Sequence, residues 1–512
     1  MLKRIVSDMS EHKPVCCIIG SGVAGLASAI RLAVLGFDVS VFEKNDYPGG
    51  KISFIEKDGY RFDAGPSLFT EPQNIEELFS FASENIKEYF SYKPVDIACK
   101  YFFDDGKIIN AYCDKEKFAT ELETKTGEPR QHVFKYLSQS SALYSSAADI
   151  FLNYSLHKRS TLLKAPVIKA LLACKPAYLF SNLDKHNGKQ FQKKEAVQIF
   201  DRYATYNGSN PYKAPAMLSV IPHIEFGEGV FYPGGGMISI TNALYRLALK
   251  KGVQFYFNTP VESIIEKDNC VKGVVIYGEN KMCDMIVSNA DVYFTYKNLL
   301  HRDDEAEKIL RNERSSSAIV FYWGIKQNFP QLELHNIFFS NNYPEEFQHI
   351  FQKKKIYNDP TVYINITSKC EPGKHAPEGK ENWFVMINAP ALSRNAVDEE
   401  MIDACRKNII QKLNSILKTD IESLIETEEI LHPNLIEART ASYMGSLYGT
   451  SSNSRLAAFL RHPNFSKRVK GLYFAGGSVH PGGGIPLCLK SAKIMCDIIS
   501  NDHKKMKKVH AH

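Results

Sequence analysis

The sequence predicts an α/β protein. A Rossmann-type dinucleotide-binding domain is assembled from distant parts of the chain, beside a second mixed-sheet domain and a helical subdomain. Three observations carry this reading. Residues 15–43 run strand, glycine turn, helix, strand, acid. Residues 471–486, GLYFAGGSVHPGGGIP, again run a strand into glycines and a helix start, at the far end of a 512-residue chain. Between them, SAIVFYWGI, TVYINITS and ENWFVMINAP alternate apolar residues in the manner of strands and call for a second sheet across 306–430.

The opening segment has the clearest chemistry. VCCII is a short apolar run of the kind found in buried parallel strands. Gly20, Gly22 and Gly25 follow at GxGxxG spacing, with Ser21 and Ala24 completing the turn. The first glycine permits a tight turn, the second admits a pyrophosphate close to the backbone, and the third lets the helix pack on the strand. Free N–H groups and a partial positive charge at the helix start suit a phosphate. Apolar residues at helical spacing run from Leu26 to Leu35, and Gly36 stops them. The strand VSVF then ends at Glu43, followed by Lys44. A carboxylate there accepts hydrogen bonds from ribose hydroxyls and repels a 2′-phosphate, which disfavours NADP.

The residues beyond this acid choose the cofactor. Gly49, Gly50 and Lys51 lead into two short strands around Asp58-Gly59, a strong hairpin turn, and then into Gly65, Pro66 and Ser67. A Gly-Gly-basic turn plus hairpin resembles the FAD-binding family that includes amine oxidases and carotenoid desaturases. The basic residue there is commonly arginine; Lys51 keeps the charge and loses the planar fork.

Composition sets the bounds. A hydrophobic content of 44% with 23% charged residues is that of a globular chain, long enough for two or three domains. The net charge of +6 is too small to argue for nucleic acid. The 11 cysteines form no CxxC pair and no zinc spacing, so no metal centre or disulfide framework is expected and a reducing compartment fits. The polar first 13 residues predict no signal peptide, and no run of 18 uncharged apolar residues predicts a transmembrane helix. The expected location is cytoplasmic.

The expected organisation is a dinucleotide domain in three parts (14–74, 215–305 and 431–500), a helical substrate or membrane-contact region (75–214), a substrate-domain sheet with helices (306–430), and a basic, frayed tail (501–512). Within the helical region, Leu162, Leu163, Val167, Ile168, Leu171 and Leu172 recur at helical spacing. Lys158, Arg159, Lys164, Lys169 and Lys175 are interleaved, and Pro166 and Pro176 break any long helix. An ordinary amphipathic helix on the core and a peripheral patch on an anionic membrane both fit. GVFYPGGG at 229–236 precedes a helix, and the strand near 253–257 returns to the dinucleotide domain.

SNADVYFTYKNLL, YPGGG and GLYFAGGSVHPGGGIPLCLKSAK together resemble the carotenoid desaturase family, the phytoene desaturase type, over most of the chain. VHPGGGIP is the most specific mark, with Val479 where threonine is more usual. FDAGPSLF and RYATYNGSNPYKAPA look most like the 3,4-desaturases of 1-hydroxylated acyclic carotenoids. The resemblance implies the amine-oxidase/phytoene-desaturase-like form of the fold, FAD, an acyclic carotenoid substrate, and oxygen or a membrane quinone as electron acceptor. It adds Val261, Gly476, Gly477, Gly484, Ile485 and Pro486 as cofactor contacts, and Gly482, Gly483 and Gly484 let the backbone lie against a flat ring or pyrophosphate. The implied reaction converts CH2–CH2 beside a polyene into CH=CH. Asp201, Arg202, His223 and Glu225 are the candidates for a polar catalytic role, and His480 reads as a turn residue before Pro481. Phytoene desaturase, carotenoid isomerase and retinol-saturase-like activities share these motifs. A prenyl-lipid escort protein without redox activity shares the fold. An amine oxidase fits less well, since the chain has only two tryptophans, Trp323 and Trp383, and shows no aromatic-cage signature.

Overall fold

The computed structural model describes residues 13–162, 164–173, 176–392, 397–454 and 461–510. Leu163, Lys175 and the first 12 residues of the expected leader-free terminus lie outside them, as do the side chains of Arg159, Leu171 and Leu172.

The dinucleotide sheet is five-stranded, in the order Leu472–Phe474, Met285–Ser288, Val15–Ile19, Asp38–Phe42, Gln254–Tyr256. Every pairing in it is parallel. Three segments far apart in sequence therefore meet in one sheet. The central strand is buried on both faces, which explains its unbroken apolar run. Cys16 and Ile18 face a layer of helices, with Leu26, Ala27 and Ile30 from Val23–Val34, Leu244 and Leu247 from Ile238–Lys250, and Leu489 and Ile498 from Ile485–His510. Cys17 and Ile19 face the other way, onto Ile264 and Val274 of a small antiparallel sheet formed by Ser263–Lys267, Cys270–Ile276 and Glu279–Met282. The terminal helix Ile485–His510 takes in most of the basic tail.

The second sheet has seven strands: Ile425–Leu431, Ser317–Ile325, Glu381–Ala389, Val362–Ile366, His335–Phe338, Ile97–Phe102 and Ile108–Tyr112. It is antiparallel apart from the pairing of His335–Phe338 with Ile97–Phe102. Two of these strands come from the stretch read as helical. Their signal is faint because Ile97–Phe102 interrupts its apolar run with Lys100 and is buried at four of six positions, so no clean alternation shows. Trp323 and Trp383 stand opposite each other on adjacent strands, both fully buried, on the face covered by Ile409 and Leu413 of the helix Glu399–Leu417. The other face presents Ala318, Val320 and Phe384 toward the dinucleotide domain, with Tyr60 and Phe62 of the hairpin Ser53–Ala64 packed against it. Asp58 and Gly59 both have positive φ, as a two-residue hairpin turn of this kind requires.

Helices Lys115–Thr126, Arg130–Leu143 and Lys194–Asp201 cover the far end of this sheet. The segment expected to be amphipathic holds the helices Arg159–Leu162, Ala165–Ala173 and Pro176–Phe180, with Pro166 and Pro176 in the first turns of the last two. Val167 is buried, while its neighbour Ile168 is exposed with Leu162 and Phe180. Among the described residues no helix is long and apolar enough to cross a membrane.

Candidate cofactor and substrate site

One cavity of about 1080 Å³ begins at the carboxyl edge of the dinucleotide sheet and continues beneath the seven-stranded sheet. This exceeds the usual range of roughly 300–1,000 Å³ for a single small-molecule pocket. It has room for a cofactor and an elongated substrate together.

The first end is built by the opening segment. Gly20, Gly22, Ala24 and Glu43 line it, together with Lys44, Gly50, Lys51, Gly65, Pro66, Ser67 and Val261. Ser21 stands behind the wall. Its backbone N–H and its hydroxyl both donate to Glu43 Oε2 at 2.8 Å. Asn45 donates to Oε1 from its backbone and from its side chain, each at 3.0 Å. Four donors thus hold the carboxylate at the sheet edge, where a ribose would lie. The helix Val23–Val34 starts at Gly22 without a side-chain cap, leaving its first N–H groups free for a phosphate. Gly25 faces inward, where a Cβ would meet Gly20 O at 2.2 Å, so it serves helix–strand packing. Gly65 has φ +126° and a Cβ there would lie 1.8 Å from Lys51 O, so no other residue closes this turn.

The C-terminal segment supplies the opposite wall through Gly477, Gly483, Gly484, Ile485 and Pro486. Gly476 is again a packing residue, pressed on the Asn289 amide. Asn289 was not singled out by sequence reasoning as a site residue, yet it joins all three segments. Its Nδ2 donates to Ala475 O at 2.7 Å, and its Oδ1 would lie 2.7 Å from a Cβ on Gly22. Asp291, two residues on, lines the cavity and pairs with buried Arg314 at 2.5 Å. The SNAD run at the strand end was the available signal for both. Arg461, remote from any recognised motif, lines the cavity and donates to Tyr448 O at 2.7 Å. Burial, with Arg314 nearby, pushes its pKa down to about 10. Lys51 donates to Leu447 O at 2.6 Å, and burial pushes its pKa down to about 8. His480 lines the cavity, but its Nε2 is bound to Tyr154 O at 2.9 Å, in keeping with a turn role.

Of the four polar candidates the structure brings two to the cavity, Arg202 and Glu225. They form a buried ion pair at 3.2 Å. Tyr203 donates to Glu225 Oε2 at 2.5 Å and Tyr206 to Oε1, while the guanidinium lies over the rings of Tyr101, Tyr203 and Tyr206. Asp201 and His223 stand off the cavity wall. Asp201 ends the helix Lys194–Asp201 and turns toward Asn187, which donates to it at 2.8 Å. Burial and the nearby Asp184 raise its pKa well above the usual carboxylate range. His223 packs its ring on Tyr144 at 4.7 Å. Successive residues on a helix point about 100° apart, which separates Asp201 from Arg202. A further polar chain was not foreseen: Ser67 Oγ, Tyr363 Oη and His335 Nδ1 are linked at 2.8 and 2.7 Å. The rest of this end is apolar, including Phe151, Leu152, Met217, Leu218 and Ile221.

Residues 23–500 match the model of the family described as flavin-containing amine oxidoreductases. The chain is 49% identical to a 1-hydroxycarotenoid 3,4-desaturase of Flavobacterium sp. over 94% of its own length and 98% of that protein. It is 33% identical to a 4,4′-diapolycopene oxygenase of Methylomonas sp., over 95% and 98% of the two chains. A phytoene desaturase of Fusarium fujikuroi is 30% identical, over 96% and 90%. Among solved structures, an oxidoreductase from Methanosarcina mazei superposes with a TM-score of 0.63 at 14% identity, over 95% of this chain and 100% of that one. A redesigned putrescine oxidase gives 0.61 at 13%, over 95% and 99%. At these identities the two structures speak for the fold alone.

The cradle makes two testable predictions. Glu43→Ala removes the sheet-edge carboxylate and lowers FAD affinity with the fold intact, and Gly22→Val, which drives a side chain into Asn289, abolishes FAD retention; flavin absorbance after gel filtration reads both, and full occupancy in either variant refutes the assignment. Lys51 makes the second. Its depressed pKa means that its charge costs stability below about pH 8, a cost relieved as pH rises from there toward the ordinary lysine value. The melting temperature of FAD-free protein should therefore rise across that alkaline window relative to a Lys51→Met variant; parallel curves would refute it. The uncapped helix start, the held carboxylate and the glycine walls fit FAD, the whole-length matches agree, and the chain belongs to the flavin-containing amine oxidoreductase family as an FAD-dependent oxidoreductase.

Proposed function

We propose that this protein is a carotenoid desaturase that introduces the 3,4 double bond into a 1-hydroxylated acyclic carotenoid, the reaction named for its 49%-identical relative. The observation that carries the reading is that identity, extending over nearly the full length of both chains. The cavity supports it, because the same cavity that holds the cofactor cradle is also lined by a group of apolar side chains. Bound FAD supplies a hydride acceptor. A carbon beside a polyene loses hydride readily because the resulting cation is delocalised, and a base or a water molecule takes the second hydrogen as a proton. The residues of the chain bind, orient and keep out water. Ala318, Val320, Phe384 and Met386 form an apolar floor for the polyene from the seven-stranded sheet. Leu152, Met217, Leu218 and Ile221 close it from the helical side. At Gly484 nothing lies within 4 Å of where a Cβ would stand, which leaves open backbone for a ring, and Lys51 lines the same cavity as a cation when protonated. Arg202 and Glu225 neutralise each other, so the pair adds polarity without net charge to an apolar chamber.

The test is pigment analysis of cells that accumulate 1-hydroxylated acyclic carotenoids, with and without this protein. The expected product is two hydrogens lighter and absorbs further to the red. An unchanged profile with folded, flavin-loaded protein rejects that substrate and moves attention to phytoene desaturation or isomerisation.

The same reading puts the protein on the cytoplasmic side of a membrane, as a peripheral protein, with oxygen or a membrane quinone as acceptor. Leu162, Ile168 and Phe180 are 41%, 42% and 65% exposed, and Lys164 and Lys169 are exposed among them, which suits contact with an anionic lipid surface. Anionic liposomes should carry the protein upward in a flotation gradient. Serine at 162, 168 and 180 should abolish this, and equal flotation of that variant would refute the patch.

A further inference from the structure

His335 sits on the strand His335–Phe338, is 2% exposed and lines the cavity. Two groups converge on its Nδ1: Tyr363 Oη at 2.7 Å and Asn365 Nδ2 at 3.2 Å. Asn365 Nδ2 also donates to Leu334 O at 3.1 Å, which identifies that atom as the amide nitrogen. An amide nitrogen only donates, so the hydrogen-bond network assigns Nδ1 as an acceptor. Burial, aided by the charge of Arg202, pushes the pKa down to about 3, so the ring is neutral and its one proton sits on Nε2. Among the described residues, Nε2 is buried without a hydrogen-bond partner. A buried N–H fixed in orientation and left unmatched is costly unless a ligand supplies the acceptor.

A pure hydrocarbon offers no such acceptor, and a hydroxyl does. Resting on the function proposed above, we propose that His335 is a specificity residue whose Nε2–H binds the hydroxyl oxygen at the substrate's end and so selects hydroxylated over hydrocarbon chain ends. Location agrees. In a 1-hydroxylated chain the oxygen lies only a few bonds from the C3–C4 unit named for the relative, so its anchor must stand near the reacting end. The Ser67–Tyr363–His335 chain ties the imidazole to the Gly65–Ser67 turn that closes the cofactor cradle. Tyr363 and Asn365 are positioning residues, since they act by holding the tautomer.

The experiment compares FAD-loaded enzyme on a 1-hydroxylated acyclic carotenoid and on its deoxy counterpart. Wild type should favour the hydroxylated chain. His335→Leu should lose about tenfold or more in kcat/KM on that chain, with little change on the deoxy chain and with FAD content kept. His335→Gln, which retains an N–H donor, should recover part of the loss. Should the leucine variant fail to fold, Tyr363→Phe gives the same reading: a smaller loss confined to the hydroxylated substrate. An equal loss on both substrates, or none, overturns the proposal; the former makes His335 a structural or general catalytic group. If wild type desaturates both chains equally, this inference falls and the desaturase reading stands. If wild type desaturates neither, the desaturase reading falls and takes this inference with it.

Discussion

The site depends on the parallel pairing of Val15–Ile19 with Met285–Ser288 on one side and Asp38–Phe42 on the other. Each parallel join needs a crossover, and here two of the crossovers are very long. The excursion between Phe42 and Gln254 contains the hairpin, two strands of the second sheet and most of the helices. The excursion between Ser288 and Leu472 contains the rest of that sheet. Because both leave from the carboxyl ends of the strands, at Phe42 and Ser288, the cofactor cradle and the substrate chamber are faces of a single cavity. Asn289 shows how closely the joins are coupled: one amide touches the first glycine turn and bonds the last strand. A change in either turn is felt across the whole cradle.

Charge is distributed along that cavity unevenly. Around the cofactor end stand the buried cations Lys51, Arg461 and Arg314, the last paired with Asp291, while Glu43 lies at the sheet edge. Such a set is expensive until an anion arrives, and a dinucleotide brings its phosphates. At the substrate end the ionic groups are paired, and hydroxyls from Tyr203 and Tyr206 satisfy Glu225 further. A paired, satisfied cluster costs less than a lone charge and leaves an apolar chain undisturbed. The division of polarity follows the division of labour between an anionic cofactor and a greasy substrate.

Much of the cradle was legible in the sequence because its elements are short-range. The GxGxxG turn, its helix and Glu43 lie within one βαβ stretch, and the Asp58-Gly59 hairpin is fixed by two residues with positive φ. The strands Ser317–Ile325 and Glu381–Ala389 also followed from periodicity alone. The strands Ile97–Phe102 and His335–Phe338 did not, since Lys100 interrupts the first and the second is only four residues long and begins with His335 and Asn336. Asp201 and Arg202 are adjacent in sequence and face opposite surroundings, a distinction that no spacing rule makes before the helix has a core to pack against.

By itself the sequence determined the phosphate-binding turn, the acid after the second strand, the glycine walls and the family to which they belong, since each is a local conformational requirement of the backbone. Tertiary structure alone decided which polar residues face the cavity. Arg461, Asn289 and His335 are recruited by strand pairing and helix docking across hundreds of residues. The tautomer of His335 is set by Tyr363 and Asn365 on a neighbouring strand, an arrangement that exists only once the sheet has closed its register.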